Sequence, residues 1–372
     1  MPDEQRALLI YVEPTPYVLG TIGRLIARHT APVEALFVTA NLTQPWNLAL
    51  HDVPAFALPA RPFAAAREIA KRIATRRYGV VHLAGWGHPA LLWALVVAWR
   101  CRVPVFMESD TPLPANSPLW KRAVRRLAYP GLFRIPRRVL PAGKRQAEYF
   151  RYYGVPDDRI VPVHMTVDVT DIMSRSDAAR ANGRAALRAS FGLPENAVVF
   201  IYVGRLEARK GLTTLLAAFS RLHDARANAV LLIVGTGSEQ PRVEAATRVN
   251  AAVRYAGRLD HDAVINAYAS ADVAVLPSIV EPWGLVVNEA MAAGLPVIVS
   301  DRAGCVDDLV TPGETGIVVA AGAMEPLHDA MRDLVDHPAR RADMGRAGRQ
   351  RISGWTLEDQ AARIVDAWRA RD

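Results

Sequence analysis

Residues 197–223 read AVVFIYVGRLEARKGLTTLLAAFSRLH, and the fold follows from how that stretch changes its period. AVVFIYV is a continuous run rich in β-branched and aromatic residues, as in a strand buried on both faces. GLTTLLAAFSRLH instead spaces its apolar residues for a helix. GRLEARKG lies between them, so a strand feeds a helix through a short glycine-bearing loop. The alternation then repeats through AVLLIVGTG, VRYAGRL, AVINAYASA, DVAVLPS, GLVVNEAMAAG, LPVIVSD and GIVVAAG. Strand alternating with helix implies parallel βαβ units, with ligands outside the carboxyl ends of the strands.

Working toward the N-terminus, a second such series appears: ALLIYVEP, LGTIGRLIARH, VEALFVTA, PFAAAREIAKRIATRRY, VVHLAGW, HPALLWALVVAWR and VPVFMESD. A chain of 372 residues is too long for one core, and two domains are expected. The polar, Arg/Ala/Ser-rich stretch 168–196 breaks the rhythm and is read as the linker between an N-terminal domain, 1–167, and a C-terminal domain, 197–355. The expected class is therefore α/β, two Rossmann-like domains with parallel sheets facing across a cleft.

Hydrophobic residues make up 51% of the chain and charged residues 22%, as in ordinary globular enzymes. Lysine plus arginine exceeds aspartate plus glutamate by 45 to 37, which favours anionic partners without choosing among phosphorylated small molecules, lipid surfaces and nucleic acid. Cys101 and Cys305 are the only cysteines, too few for a disulfide framework and suited to a reducing compartment. The opening MPDEQRALLIYVEPTP lacks the basic and apolar regions of an export signal, so a cytoplasmic location is expected. LLWALVVAW at 91–99 is well short of the roughly 20 residues that span a bilayer and reads as a buried helix. Basic residues cluster between Lys121 and Arg151, among them Arg122, Arg125, Arg126, Arg134, Arg137, Arg138, Lys144 and Arg145. Two readings of that region stay open, a solvated face or peripheral contact with anionic lipid at the inner membrane face. Nucleic acid is not expected as a partner, because no recognised reading motif accompanies the charge.

Candidate chemistry concentrates in the C-terminal half. Arg205 and Lys210 sit in the loop after the strand, where an arginine fork and a compact ammonium suit phosphate. In EPWGLVVNEAMAAG, 281–294, the turn at Pro282, Trp283 and Gly284 opens a helix whose first amides, near Gly284, Leu285 and Val286, suit an anion. Glu289 falls about one turn further on, amid alanines, where a carboxylate needs a partner. Sugar hydroxyls or a neighbouring arginine would both serve.

GRLEARKG, VGTGSE, YAGRL, LPSIVEPWGLVVNEAMAAGLPVIVSD and the closing SGW together resemble glycosyltransferase family 4, the retaining nucleotide-sugar enzymes of GT-B fold. The resemblance is specific across 197–355 and looser before it. It implies that Arg205 and Lys210 bind the donor diphosphate beside Gly204, that Glu281 contacts the donor sugar and that Glu289 binds the ribose. It further implies that backbone at Gly257 and Arg258 meets the base, and that a helix at about 356–372 crosses back to the first domain. No metal or other cofactor is expected; a nucleoside-diphosphate sugar, UDP-linked by preference, is the co-substrate. The acceptor would be a glycan, a lipid-linked sugar or a small molecule.

The N-terminal half departs from the common pattern. EPTPYVLG at 13–20 stands where many members carry a Gly-Gly loop, and with the ESD at 108–110 it resembles a branch of surface-polysaccharide and secondary-metabolite enzymes. Thr15, His88, Glu108 and Asp110 are the acceptor-side candidates, with His88, ahead of Pro89, read more readily as a helix cap or packing residue than as a catalyst. Asp260 and Asp262 spell a D-x-D, the metal-diphosphate signature of another glycosyltransferase fold, yet they precede a helical pattern that an aspartate would cap. A glycoside hydrolase also uses paired carboxylates but needs no cationic cradle. The remaining alternatives are a sugar-phosphate phosphorylase or synthase of the same fold and a non-catalytic nucleotide-sugar-binding subunit.

Overall fold

The computed structural model describes residues 6–39, 55–59, 61–75, 77–114 and 118–370. They form two compact units, the first made of residues up to Thr166 together with those from Leu357 onward, the second of Val167–Thr356.

In the first unit, strands β1 (Arg6–Tyr11), β2 (Val33–Phe37), β3 (Ala55–Ala57), β4 (Tyr78–Ala84), β5 (Val105–Ser109) and β6 (Arg138–Pro141) pair in parallel in the order β3-β2-β1-β4-β5-β6. Successive side chains of a strand face opposite sides. Leu8 and Ile10 accordingly join one core with residues of α2 (Pro62–Ala74), α3 (Pro89–Arg100) and α5 (Lys144–Tyr152). Ala7, Leu9 and Tyr11 join the other, closed by α1 (Pro16–Arg28) and by the helix at Leu357–Arg369. Thr15 caps α1 and His88 caps α3, each followed by a proline suited to a first helical turn.

The run at 91–99 is a helix but not a wholly buried one. Leu91, Ala94, Leu95 and Ala98 are buried, whereas Leu92, Trp93, Val96 and Trp99 are exposed. Apolar residues on every side of a helix read as full burial, but only one side of α3 is covered by its unit. The helix α4 (Leu119–Leu132) buries none of its residues.

In the second unit, β7 (Val198–Val203), β8 (Ala229–Val234), β9 (Val253–Gly257), β10 (Val273–Leu276), β11 (Val297–Ser300) and β12 (Gly316–Val319) pair in parallel in the order β12-β11-β10-β7-β8-β9. The helices around this sheet are α6 (Val169–Ala181), α7 (Arg184–Ser190), α8 (Leu212–Ala225), α9 (Gln240–Val249), α10 (His261–Ser270), α11 (Leu285–Ala292), α12 (Val306–Leu309), α13 (Met324–Asp336) and α14 (Pro338–Ile352). The helix at Leu357–Arg369 is α15. Numbered within its own unit, each sheet runs third, second, first, fourth, fifth, sixth. Such an order reverses beside the first strand, and a ligand crevice lies there at the carboxyl ends. The reversals fall between β1 and β4 and between β7 and β10.

Residues 168–196, read as a linker, fold into α6 and α7 and belong to the second unit. The arginines that make the stretch look like linker are what attach it. Buried Arg188 donates to the carbonyls of Ser270 and Ala197 and to Asp272 at 2.6 Å, and Asp272 in turn accepts the Val199 amide. Arg180 reaches the Ala293 carbonyl at 2.6 Å.

Candidate functional site

The loops that leave β7 and β10 meet at the reversal of the second sheet. Gly211 makes the meeting possible: its φ is +73°, and a Cβ there would lie 2.1 Å from the Pro277 carbonyl oxygen. Lys210, one residue earlier, ends a single 3₁₀ turn, and its Nζ lies 2.5 Å from Glu281 Oε2. Ser278 Oγ donates to the same carboxylate oxygen at 3.2 Å, while Ser300 Oγ donates to the Ser278 carbonyl. Side chains of Lys210 and Glu281 are only 13% and 9% exposed, so each supplies most of the charge compensation of the other.

Arg205 is half exposed and pairs with Glu207 at 2.5 Å; Glu207 also takes Arg209 at 2.8 Å. The Arg209 hydrogen bond, foremost, holds the Glu207 carboxyl below its usual range, with Arg205 and Lys210 acting in the same sense. The backbone of Gly204 and Gly257 belongs to the same edge: the Gly204 amide donates to Val234 and the Gly257 carbonyl accepts from Gly235, with Arg258 immediately beyond β9. Gly284 caps α11 at φ +105°, where a Cβ would meet Leu276 Cδ2 at 3.0 Å. Partly exposed Leu285 and Val286 then present the first amides of that helix. The turn is anchored from below, because Trp283 is buried, stacks on Trp355 at 6.0 Å and donates its indole N–H to Asn288.

Glu289 has a protein partner that the sequence did not suggest. Tyr268 of α10 donates its hydroxyl to Glu289 Oε2 at 2.8 Å, so the arginine alternative is set aside. Burial raises the Glu289 carboxyl above its usual range, against the lowering effects of the Tyr268 bond and of His261. Asp260 caps α10 through the Ala263 amide, and Asp262 pairs with Arg175 at 2.6 Å. Among the described residues no group of three or more His, Cys, Asp or Glu side chains is arranged to hold a metal.

The first unit carries a cavity of about 650 Å³ at its own sheet reversal, lined by Thr15, His88, Glu108 and Asp110 among others. All four acceptor-side candidates thus come together there. The His88 ring accepts the Ala90 amide through Nδ1, as a helix cap does, and still borders the cavity. Glu108, next to the last residue of β5, draws three donors: Tyr11 Oη and His82 Nε2 to Oε2, each at 3.2 Å, and Gln360 Nε2 to Oε1 at 3.4 Å. His82 is fully buried in β4, and among the described residues its Nδ1 has no hydrogen-bond partner.

Sequence reasoning missed Ser278, Tyr268, His82, Tyr11 and Gln360. Of these only Gln360, a polar residue interrupting the apolar face of α15, leaves a trace in the pattern.

Comparison with known proteins agrees with the geometry. Residues 14–166 match the family model for the glycosyl transferase 4-like domain, and residues 183–351 match that for glycosyl transferases group 1. The GDP-mannose-dependent monoacylated alpha-(1-6)-phosphatidylinositol monomannoside mannosyltransferase of Corynebacterium glutamicum is 34% identical over 203 residues, covering 52% of this chain and 53% of the relative. The D-inositol 3-phosphate glycosyltransferase of Streptomyces avermitilis is 28% identical over 297 residues, covering 77% and 61% respectively. The chain therefore spans less than two thirds of either relative. Anabaena HepE, solved in complex with UDP, superposes with a TM-score of 0.79 at 16% identity, over 97% of this chain and 98% of that one, and so shares the fold. Two family models in tandem, on two sheets of Rossmann order, show that the chain belongs to the family 4 glycosyltransferases of GT-B fold.

Proposed function

We propose that the protein transfers a sugar, with retention of configuration and without a metal, from UDP to a hydroxyl of a small-molecule, glycan or lipid-linked acceptor. The observation that carries this reading is the Lys210–Glu281 pair beside Arg205 and the start of α11. A nucleoside diphosphate leaving an anomeric carbon develops negative charge, and fixed cations and amides stabilise it without reorganising at the moment of reaction. Arg205 has only to exchange Glu207 for phosphate oxygens. Lys210 is held by Glu281 at the loop junction, and Glu281 orients the sugar. Glu289 accepts from the ribose while Tyr268 fixes its carboxylate. The name of the Corynebacterium relative supports a nucleotide-sugar donor, and the UDP complex of HepE supports the uridine base.

A thermal-shift panel of UDP, GDP, ADP and dTDP without metal tests the donor reading. A nucleotide at about a hundred times its Kd stabilises the native state by roughly 2.7 kcal/mol, and UDP is expected to give the largest shift. The shift should shrink as pH falls toward the Glu289 pKa, which burial has raised, because protonation removes the negative charge and turns one of the two accepting oxygens into a donor. Glu289→Gln should weaken binding and abolish that acid-side dependence while keeping the Tyr268 bond. The same raised pKa means that the ionised carboxyl opposes folding above it, so the variant should melt no lower than the parent at neutral pH. No shift with any nucleotide overturns the donor site.

Contact with an anionic lipid surface is the second part of the proposal. Helix α4 exposes Leu119, Trp120, Val124 and Leu127 beside Lys121, Arg122, Arg125 and Arg126. A helix bearing exposed apolar and basic side chains suits the interface of anionic membranes. Among the described residues no helix is long and apolar enough to cross one. Sedimentation with phosphatidylglycerol vesicles should capture the chain, and Leu127→Asp should release it; equal capture by phosphatidylcholine vesicles would refute the electrostatic component.

A further inference from the structure

The charge in the cavity of the first unit specifies more than a generic acceptor. Among the described residues, three carboxylates line it, Glu13, Glu108 and Asp110, against one guanidinium, Arg125. Glu13 is 9% exposed and the Glu108 side chain 15%, so water screens them poorly. The hydrogen-bond partners of Glu108 described above are a phenol, an imidazole and an amide, none of them a lysine or arginine. Those groups satisfy its lone pairs without cancelling its charge. The fields converge: burial raises the Tyr17 hydroxyl above its ordinary value, and Asp110, Glu108 and Glu13 each raise it further. The partly exposed rings of Tyr17 and Tyr129 border the cavity and offer apolar surface to the C–H face of a sugar ring, whereas Trp86 and Tyr149, which also line it, are nearly fully buried.

A half-buried group of like charges favours a ligand that brings the opposite sign. A metal ion is the poorer candidate, since no metal-holding group of three appears among the described residues. An acceptor carrying a phosphate beside its hydroxyls, as the name of the Streptomyces relative implies for that enzyme, would meet repulsion here. We propose that this cavity binds an amine-bearing sugar or cyclitol, its ammonium against Glu108 and Asp110 and its ring against Tyr17 and Tyr129, and that it rejects phosphorylated acceptors. The inference rests on the glycosyltransferase reading for what the bound molecule is used for, but not for the binding itself.

Glucosamine, N-acetylglucosamine and glucose 6-phosphate probe the site by ligand-observed NMR titration of the whole chain. Glucosamine should bind at least about tenfold more tightly than the other two, because only it carries the ammonium. Glu108→Gln should bring glucosamine and N-acetylglucosamine to within about twofold of each other. Glu108 has buried partners, so Asp110→Asn gives a second test at the cavity edge and should lower the ratio in the same direction. Comparison of charged and acetylated probes on the unaltered protein needs no variant at all. Equal binding of the three, tighter binding of glucose 6-phosphate, or binding of none overturns the proposal. UDP titrated into the same sample separates the two readings: a UDP response without amine preference sinks the acceptor class alone, and amine binding without a UDP response sinks the donor assignment alone.

Discussion

Lys210→Ala should lower kcat/KM by two to three orders of magnitude, roughly the 10²–10³-fold cost of removing one preorganised group facing developing charge. The same change strands Glu281, only 9% exposed, with Ser278 as its remaining side-chain donor. Breaking a buried pair costs about 3–5 kcal/mol. The residual exposure and Ser278 put the expected loss near the lower end, about 3 kcal/mol, or roughly 6–10 °C in melting temperature for a unit of this size. Activity and stability are therefore entangled in the single variant. Lys210→Met combined with Glu281→Gln removes both charges while keeping the bulk, and should recover most of the lost melting temperature with no recovery of turnover. Turnover that returned along with the melting temperature would make the pair a structural strut.

Gly211→Ala carries the second largest effect. The αL conformation costs a residue with a Cβ about 1–2 kcal/mol, and the added carbon would sit 2.1 Å from the Pro277 oxygen, a backbone atom that has no rotamer to escape into. Overpacking adds about 1–3 kcal/mol. Relief comes only by parting the loop that holds Arg205 and Lys210 from the loop that holds Glu281, and a displacement of about 1 Å can cost about a hundredfold in rate. Melting temperature and UDP affinity should fall together. Gly23→Ala in α1, where nothing lies within 4 Å of the added carbon, is the control and should leave the protein as stable or slightly more so. A Gly211→Ala protein with native melting and native UDP affinity would show that the two loops do not need that contact.

Those predictions draw on both what the sequence discloses and what it conceals. Period changes and glycine placement made the two series of βαβ units legible, because both are local signals read over a dozen residues. Arg205, Lys210, Glu281 and Glu289 stood out because charge in an apolar setting is conspicuous. Their partners did not. Tyr268 lies 21 residues from Glu289, and Tyr11 lies 97 residues from Glu108, so each pairing exists only after the sheets assemble. Composition misled in two places: arginines at 180–188 resembled solvated linker until they met the carbonyls of the second unit, and the apolar circumference of α3 resembled burial although one side is bare. A pattern states which residues avoid or seek water in isolation; it does not state which surfaces the tertiary structure leaves uncovered.

Helix α15 has a consequence for how the chain is made. It supplies Ile364, Val365 and Trp368 to a core of the first unit, ties down α1 through Glu358 and Arg24, and brings Gln360 to Glu108. In sequence, however, it follows the whole of Val167–Thr356. A ribosome adding about 5–20 residues per second needs on the order of ten seconds or more to cross that interval. The N-terminal sheet therefore waits with one face open while the second unit, continuous in the chain, is completed. Nascent chains caught in that interval would present the apolar residues of β1 and α1 to chaperones, and the cavity of the first unit would acquire its glutamine only after the second unit has been made.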